Sequence, residues 1–368
     1  MLERFDVAIV GGGPAGSSCA GRLQRAGLRV VVIDQKDFPR DKTCAGWVTP
    51  SVWKTLEIDP DEYARFRVLQ PITGFRTGVI GGSEIATRYE DVVSYGIRRC
   101  EFDSYLLHRC GAETRTGQPV RSVIRAEGCW RINDTYEAPL LVGAGGHFCP
   151  IARMLGARDV PQTSVVTAQE IEFAATADEL VRGTVAAGIP ELFFCEDLNG
   201  YGWCFRKGPF LNIGLGRIGA EHLSEHVAAF VRFLRERGKV VAEFPGRFHG
   251  HAYQLYGHVP PKLVDDGVLL IGDAAGLAHP QSGEGIRPAI ESGLIAADVI
   301  REASGTFSRE DLQPYVDRIV AHFGKTHEPS ALNWLPHSWL NWAARQLLAS
   351  EWFTRRVVLD RWFLGQSI

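Results

Sequence analysis

The chain has 368 residues, a formal net charge of −3 and a hydrophobic content of 45%. This length exceeds one simple core and predicts two intimately joined domains, and the small net charge argues against nucleic acid or an anionic membrane as the main partner. The eight cysteines form no CxxC pair and no His–Cys metal spacing. The first predicted strand starts too close to Met1 to leave room for a signal peptide, and the sequence has no run of about 18 apolar residues that could span a bilayer. We therefore expect a cytoplasmic protein with reduced thiols and no metal.

A glycine-rich turn follows the first apolar run, Val7 to Val10. Its spacing is Gly-x-Gly-x-x-Gly, a helical pattern ending at Gly27 follows, and a second strand, Val30 to Ile33, ends in an acid. Glycines let a pyrophosphate approach the backbone and the helix N-terminus, and an acid at that place accepts hydrogen bonds from a ribose diol. An ordinary βα turn would not explain the acid, so the pattern predicts dinucleotide binding. The candidate residues are Gly11, Gly13, Pro14, Ala15, Gly16, Asp34 and Gln35.

A charged loop, residues 37–46, follows and has two interpretations. It is either a solvated surface loop or a cofactor loop, because Cys44-Ala45-Gly46 is small enough to lie against a flat ring. Residues 72–95 alternate around Gly81-Gly82 and predict a hairpin, and a helix is expected from Arg99 through Leu107.

Later segments divide into a β-rich part and a second helical part. Strands are predicted for Val120 to Arg131 and for Glu137 to Val142, the latter running into a second glycine-rich turn at 143–146. Residues 163–255 predict an antiparallel sheet with one amphipathic helix that begins near Leu223 and stops at Gly238. The predicted strands there are Val165 to Phe173, Glu191 to Cys195, Trp203 to Phe205 and Leu211 to Leu215.

A third turn of small residues follows the apolar strand Val268 to Ile271, and a long helix with a face of small residues comes after it. A further helix begins at Ser308, which forms a capping box with Asp311. The tail, residues 331–368, holds five of the nine tryptophans, and Arg345, Arg355, Arg356 and Arg361 accompany them. Either the tryptophans pack on the body of the protein, or they form an aromatic face over an apolar substrate channel or against a membrane surface.

Three phosphate-type turns resemble an FAD-binding fold in which distant segments return to one cofactor. Gly272-Asp273 is similar to the second FAD motif of the aromatic-hydroxylase-type flavoproteins. Four further motifs are Gly283-Glu284-Gly285-Ile286, Tyr201-Gly202-Trp203-Cys204-Phe205 with Gly214-Leu215-Gly216, Lys42-Thr43-Cys44-Ala45-Gly46, and Arg99-x-x-Phe102-Asp103. By these motifs the chain, up to about residue 325, most resembles the geranylgeranyl reductases and their bacterial relatives within that superfamily.

The resemblance implies FAD as the cofactor and adds further residues to its site. They are Lys42, Cys44, Ala45, Gly46, Arg99, Val120, Ala144, Gly145, Gly272, Asp273, Pro280, Gly283, Glu284, Gly285 and Ile286. Three positions depart from the family. Arg206 replaces the reductases' proline and places a cation at an expected apolar wall. In the turn that resembles the hydroxylase-type Gly-Ala-Asp-Gly, Gly145 replaces an acid associated with nicotinamide and FAD handling, and Cys149 replaces a serine.

The implied fold is α/β: a discontinuous Rossmann-type FAD-binding domain, an antiparallel β-sheet substrate domain, and a helical, Trp-rich C-terminal segment. The expected boundaries are 1–71, 96–160 and 256–305 for the first, 72–95 and 161–255 for the second, and 306–368 for the third.

The leading hypothesis is an oxidoreductase that reduces carbon–carbon double bonds of an apolar, prenyl-like substrate by hydride transfer from flavin N5. The candidate catalytic residues are Cys44, Tyr201, Trp203 and His279, each with a purely structural alternative. NAD(P)H, ferredoxin or a flavin reductase would supply electrons. The alternative is a flavin monooxygenase that hydroxylates an aromatic ring, including a Trp side chain of a protein. A halogenase is disfavoured because residues 65–85 offer Arg76 but no lysine, and a non-catalytic flavin carrier is the least favoured reading.

Overall fold

A computed structural model describes residues 2–157, 165–219, 221–257, 262–324 and 344–366. The protein is mixed α/β with several sheets, as predicted. Two compact units divide the chain. Unit 1 comprises Met1–Asp41, Cys100–Ser164 and Tyr253–His327, and unit 2 comprises Lys42–Arg99, Val165–Ala252 and Glu328–Ile368.

The strands are named in chain order. They are β1 (Glu3–Arg4), β2 (Val7–Val10), β3 (Val30–Ile33), β4 (Trp47–Val48), β5 (Leu69–Ile72), β6 (Gly74–Val79), β7 (Glu84–Arg88), β8 (Ser94–Ile97), β9 (Glu113–Arg115), β10 (Val123–Ala126), β11 (Cys129–Ile132), β12 (Tyr136–Ala138), β13 (Leu140–Gly143), β14 (Val165–Ala174), β15 (Glu191–Phe194), β16 (Gly200–Lys207), β17 (Phe210–Ile218), β18 (His249–Gln254), β19 (Val264–Asp265) and β20 (Val268–Leu270).

The helices are named in the same way. They are α1 (Pro14–Arg25), α2 (Pro50–Leu56), α3 (Pro60–Ala64), α4 (Arg99–Arg109), α5 (Pro150–Met154), α6 (Ala177–Arg182), α7 (Leu223–Glu236), α8 (Ile286–Glu302), α9 (Arg309–Phe323) and α10 (Glu351–Phe353), with a 3₁₀ turn at Gly272–Ala275 and a π-helix at Thr354–Phe363.

Unit 1 is organised around a six-stranded sheet with the order β19-β20-β13-β2-β3-β9. Strands β20, β13, β2, β3 and β9 run parallel to one another, and β19 pairs with β20 in the antiparallel direction. Every residue of β2, β3 and β13 is buried. Such continuously apolar strands are those of a parallel sheet covered on both faces.

Unit 2 is organised around a seven-stranded sheet with the order β18-β14-β17-β16-β15-β6-β7. The long strands β14, β17 and β16 are antiparallel, and β15 and β6 are parallel. Side chains of α7, among them Phe230 and Leu234, pack with Ile171 and Ile213 on one face of this sheet. Trp203 and Phe205 lie on the other face, because residues two apart in a strand point the same way.

Most predicted elements are confirmed. The hairpin is β6–β7, the helix from Arg99 is α4, and the amphipathic helix is α7. The capping box of Ser308 and Asp311 is present at the start of α9. A second box, of Thr176 and Glu179, begins α6, which the sequence reading missed.

Two predicted strands were wrong. Val120 to Arg131 is an antiparallel hairpin, β10–β11, because Glu127 and Gly128 adopt positive φ angles and turn the chain. Glu137 to Val142 contains parts of β12 and β13, which belong to different sheets. Pro139 separates them, and proline donates no hydrogen bond to a ladder.

The compact units group the chain differently from the predicted boundaries. Residues 42–71 and 96–99 lie in unit 2, and residues 161–164, 253–255 and 306–327 lie in unit 1. The functional assignment of domains stays a prediction. Trp334, Trp339 and Trp342 lie outside the described residues, whereas Trp352 is exposed and Trp362 packs against a core. Across the described ranges, every helix is too short or too polar to cross a membrane.

Candidate functional site

The turn after β2 packs against the end of β13. A Cβ on Gly11 would lie 2.3 Å from the carbonyl oxygen of Ala144, and the φ angle of Gly11 is +116°. A Cβ on Gly16 would lie 1.9 Å from the carbonyl oxygen of Gly11. Only glycine fits at either position, so the predicted first and second turns, 11–16 and 143–146, come together in unit 1.

Asp34 lies at the end of β3, as predicted, and is buried. Its carboxylate accepts hydrogen bonds from the backbone N–H groups of Gly12 at 2.8 Å and Lys36 at 2.9 Å. It therefore holds the glycine turn, and its contact with a ribose stays a prediction. Gln35 is exposed, and Val120 is half-buried in the loop before β10.

The sequence analysis missed a cation beside this turn. A Cβ on Gly13 would meet only the Arg40 guanidinium, at 3.4 Å from Nη2. Arg40 also pairs with the buried Asp103 at 3.4 Å and lies over the Phe38 ring at 4.7 Å. Neither interpretation of the loop 37–46 includes a contact of Arg40 with the glycine-rich turn.

The third turn also approaches α1. The Gly272 N–H donates to Ser292 Oγ at 3.0 Å, and a Cβ on Gly272 would lie 2.9 Å from that of Ala15. A Cβ on Gly285, the residue before α8, would lie 3.2 Å from Asp273 Oδ1. The turn at 272–273 and the start of α8 at 286 are thus adjacent, as expected.

The segment between them holds His279 and Glu284, and Glu284 pairs with Arg287 in the first turn of α8. Burial, reinforced by the charge of Arg287, lowers the pKa of His279 to about 4, so the imidazole is neutral at pH 7. Its ring Nδ1 lies 3.3 Å from Ser282 Oγ, and the backbone N–H of His279 donates to the Glu284 carbonyl. Because a relay group works best with a pKa near the working pH, a pKa this low argues against a proton relay through His279 at pH 7.

Gly145 is exposed at the second turn, and Cys149 is buried behind it. A Cβ on Gly145 would lie 3.3 Å from Cys149 Sγ. Cys149 therefore fills the space beneath Gly145.

These features of unit 1 fit the diphosphate and ribose of a dinucleotide. Gly13 leaves space where a Cβ would project, Arg40 supplies a positive charge there, and no side chain within the described residues caps α1. The first N–H groups of a helix lack intrahelical partners and favour an anion.

In unit 2 the loop 42–46 is held by the sheet rather than by structure of its own. The Cys44 N–H donates to Glu170, and the Cys44 carbonyl accepts from Asn212 Nδ2 at 3.2 Å. Lys42 Nζ lies 2.6 Å from His251 Nε2. Gly46 has a φ of +65°, and a Cβ there would lie 2.2 Å from the Ile97 carbonyl oxygen. The loop is therefore an anchored element, which argues against the solvated-loop interpretation.

Behind the loop lies a buried polar network. Lys207 Nζ contacts Glu172 Oε2 at 2.6 Å and donates to the Ile97 carbonyl at 2.9 Å. Arg98 donates to Glu172 at 3.0 Å, and Asn212 donates to the same carboxylate at 3.2 Å. Burial opposes the charge of Glu172, but Lys207 and these hydrogen bonds outweigh it and lower its pKa.

Glu170, two residues earlier, responds in the opposite direction. Burial raises its pKa to about 7, against the lowering effects of Lys207, the Cys44 N–H and Arg99. Arg99, predicted to contact the cofactor, is buried. Lys207 thus stabilises the ionised form of both carboxyl groups. Glu172 stays ionised at pH 7, whereas the pKa of Glu170 lies near 7.

The family motif on β16 and β17 has a packing explanation. Trp203 pairs with Gly214 across the strands, and Tyr201 pairs with Gly216. A Cβ on Gly214 would lie 2.3 Å from Trp203 Cζ2, so the glycine makes room for the indole. The indole N–H donates to Asn212 Oδ1 at 2.7 Å, which links the aromatic side chain to the network under Cys44.

The described C-terminal residues cover this aromatic face. Phe363 stacks on Trp47 with a centroid distance of 5.3 Å and meets Tyr201 edge-on at 5.4 Å. Leu359 packs with Trp203 in the same cluster. Asp360 accepts a hydrogen bond from Tyr89 at 2.7 Å. This arrangement joins Tyr201 and Trp203 in one apolar cluster.

Arg206 was expected on the apolar wall, and this expectation was wrong. Strand alternation places it opposite Phe205, and its guanidinium donates to the Gly208 carbonyl at 3.2 Å. Lys207, buried with Glu172, is the cation on the face of Trp203. Sequence reading also missed Glu170, Glu172 and Asn212, although alternating acids within a β-strand that has a buried face signal a polar site.

Comparison with known proteins supports the predicted class. Residues 6–78 match the family described as FAD dependent oxidoreductase. The chain is 29% identical over 349 residues to the digeranylgeranylglycerophospholipid reductase of Methanothrix thermoacetophila, covering 88% of this chain and 84% of that protein.

Two solved structures share the fold. A geranylgeranyl bacteriochlorophyll reductase-like protein from Thermoplasma acidophilum has a TM-score of 0.77 at 22% identity and covers 100% of this chain and 93% of its own. A probable FAD-dependent monooxygenase from Pseudomonas aeruginosa has a TM-score of 0.65 at 19% identity, covering 96% of each chain. The predicted resemblance to geranylgeranyl reductases is confirmed, as are the class, FAD-dependent oxidoreductase, and the cofactor, FAD.

Proposed function

We propose that the protein reduces carbon–carbon double bonds of an apolar, prenyl-like substrate. The observation that carries this proposal is the continuous aromatic and aliphatic cluster around Trp203, Tyr201 and Phe363, which borders the anchored Cys44 loop. An apolar face suits a hydrocarbon chain, and the relative from Methanothrix acts on a prenylated lipid according to its name.

We assign the parts of the cofactor site as follows. Gly11, Gly13 and Gly16 with Arg40 hold the diphosphate, and Asp34 holds the ribose. In unit 1 we also assign the turn at Gly272-Asp273 and residues 280–286 to FAD binding. In unit 2, Arg99 and the loop 42–46 stay predicted cofactor residues. FAD, when bound, supplies the redox chemistry.

The chain's own residues orient the substrate and exclude water. Trp203 is fixed by its hydrogen bond to Asn212 and cannot turn without losing it. His279 stays neutral at pH 7, because its pKa is about 4, and so holds no proton to deliver. Cys44 and Tyr201 remain the candidates for delivering one to the second alkene carbon.

The experiment is an anaerobic reoxidation. FAD-loaded protein is photoreduced under argon and mixed with geranylgeranyl diphosphate, and the 450 nm absorbance and the product mass are followed. We expect reoxidation with a gain of two hydrogen atoms per reduced bond. Absence of both, together with oxygen incorporation into an added aromatic compound in air, would establish the monooxygenase alternative instead.

The remaining assignments concern the C-terminal segment and the electron donor. The described part of the Trp-rich tail packs on the unit 2 sheet, which supports its role as a cover for the substrate, with Trp352 left exposed. Exposed Arg355 and Arg356 beside Trp352 would allow contact with a membrane surface. An external donor, NAD(P)H, ferredoxin or a flavin reductase, supplies the electrons.

A further inference from the structure

Both peptide groups that flank the Cys44 side chain are held by side chains from distant strands. The N–H donates to Glu170 on β14, 126 residues away, and the carbonyl accepts from Asn212 on β17, 168 residues away. In addition, the Gly46 N–H lies 3.4 Å from Cys44 Sγ. A loop held in this way takes its conformation from the sheet.

We propose that Glu170 and Asn212 form a clamp that positions the Cys44 thiol, and that Glu170 is the positioning residue whose loss releases it. The proposal rests on the proposed function only in assigning a catalytic purpose to that thiol. Neither residue needs to touch substrate, because each acts through the backbone of the loop.

The two halves of the clamp differ in strength. Asn212 is fixed on both sides, because its Oδ1 accepts from Trp203 and its Nδ2 also contacts Glu172. Glu170 is buried at 7% exposure, and its carboxyl group accepts a hydrogen bond from the Cys44 N–H. A carboxylate–amide bond in a buried site is stronger than a neutral one. Removing Glu170 therefore releases the loop, whereas Asn212 keeps its position.

The charges around Glu170 make the clamp sensitive to pH. Lys207 on β16 and Arg99 at the start of α4 favour its ionised form, and Glu172 on the same strand opposes it. The neighbouring strand β18 carries His249 and His251, of which His251 contacts Lys42. Across β17 the partner of Glu170 is Gly214, which carries no charge. The carboxyl therefore gains a proton near pH 7, and with it loses acceptor strength toward Cys44.

The test is alkylation of the holoprotein with iodoacetamide at pH 8, read for each cysteine by peptide mass spectrometry. Cys129, half-buried in β11 of unit 1, serves as the internal reference. We expect the Cys44-to-Cys129 rate ratio to rise about fivefold or more in Glu170→Ala, as loss of one hydrogen bond would give. Glu170→Gln keeps only an uncharged acceptor, so we expect a ratio between those of the wild type and Glu170→Ala.

Gln169→Ala is the matched control. Gln169 is the neighbour of Glu170 in β14, points to the opposite face and contacts Ser224 there. We expect it to leave the alkylation ratio unchanged. An unchanged ratio in Glu170→Ala would overturn the proposal.

A second measurement covers the case in which Glu170→Ala does not fold. The turnover of the wild type should fall as the pH decreases from 8 to 6, and that of Glu170→Gln should not, because an amide has no proton to gain. A wild-type profile in Glu170→Gln would overturn the proposal. If the wild type reduces no alkene but Glu170→Ala shifts the alkylation ratio as expected, the proposed function fails and the clamp stands. If the wild type reduces the alkene but the ratio does not shift, the clamp fails and the proposed function stands.

Discussion

Substitution of Gly214 by alanine tests whether the glycine exists to accommodate the indole of Trp203. The new Cβ would lie 2.3 Å from Trp203 Cζ2, about 1.1 Å closer than the 3.4 Å at which ordinary contact begins, and 2.8 Å from the Gln169 carbonyl oxygen. The backbone oxygen belongs to the paired strand β14, so the indole is the group that must move.

The expected cost has two parts. Overpacking a well-filled site costs about 1–3 kcal/mol, and displacing the indole breaks its hydrogen bond to Asn212, worth about 1 kcal/mol. We therefore expect Gly214→Ala to lower the free energy of unfolding by about 2–4 kcal/mol in urea titrations. Alkene reduction should fall with it, because Trp203 leaves its position over the loop.

The matched control is Gly250→Ala on β18 of the same sheet, where a Cβ would meet only the Ala168 carbonyl oxygen at 4.0 Å. It should change the unfolding free energy by less than about 1 kcal/mol. The double variant Gly214→Ala/Trp203→Phe should recover part of the loss, because the smaller ring relieves the contact. Equal stabilities for the Gly214 and Gly250 variants, or strict additivity in the double variant, would refute the reasoning.

Three further predictions follow from the two units. Arg40→Ala should weaken FAD binding to the apoprotein about tenfold or more, as loss of a charged hydrogen-bond donor would, in a flavin-fluorescence titration; unchanged affinity would remove Arg40 from the site. The pKa of His279 is about 4 in the folded protein, below its ordinary 6.5, so the unfolded chain binds a proton more readily between these pH values. In thermal melts the wild type should therefore lose stability relative to His279→Gln as the pH falls from 6.5 to 4, and a difference found only above pH 6.5 would contradict the prediction. Phe363→Ala should lower the free energy of unfolding by about 3 kcal/mol, because it removes a buried ring. Trp352 is 68% exposed, so Trp352→Ala should lower it by less than about 0.5 kcal/mol. Equal effects in urea unfolding would contradict the packing of the C-terminal residues.

The sequence by itself determined the elements whose chemistry is local. Glycine spacing after an apolar strand, the acid after Ile33 and the capping box at Ser308 depend on neighbours in the chain, and each lies where it was predicted. Where one residue redirects the chain, as Gly128 and Pro139 do, the apolar pattern continued across the break and misled the reading.

Only the tertiary structure decided which side chains share the site. Glu170 and Asn212 meet Cys44 across more than 100 residues of chain, and no periodicity reports such a contact. The side of the sheet on which Arg206 and Lys207 lie follows from strand register, which is set by packing over the whole sheet. Sequence fixes local backbone preference, whereas burial and charge at a site depend on what distant strands bring to it.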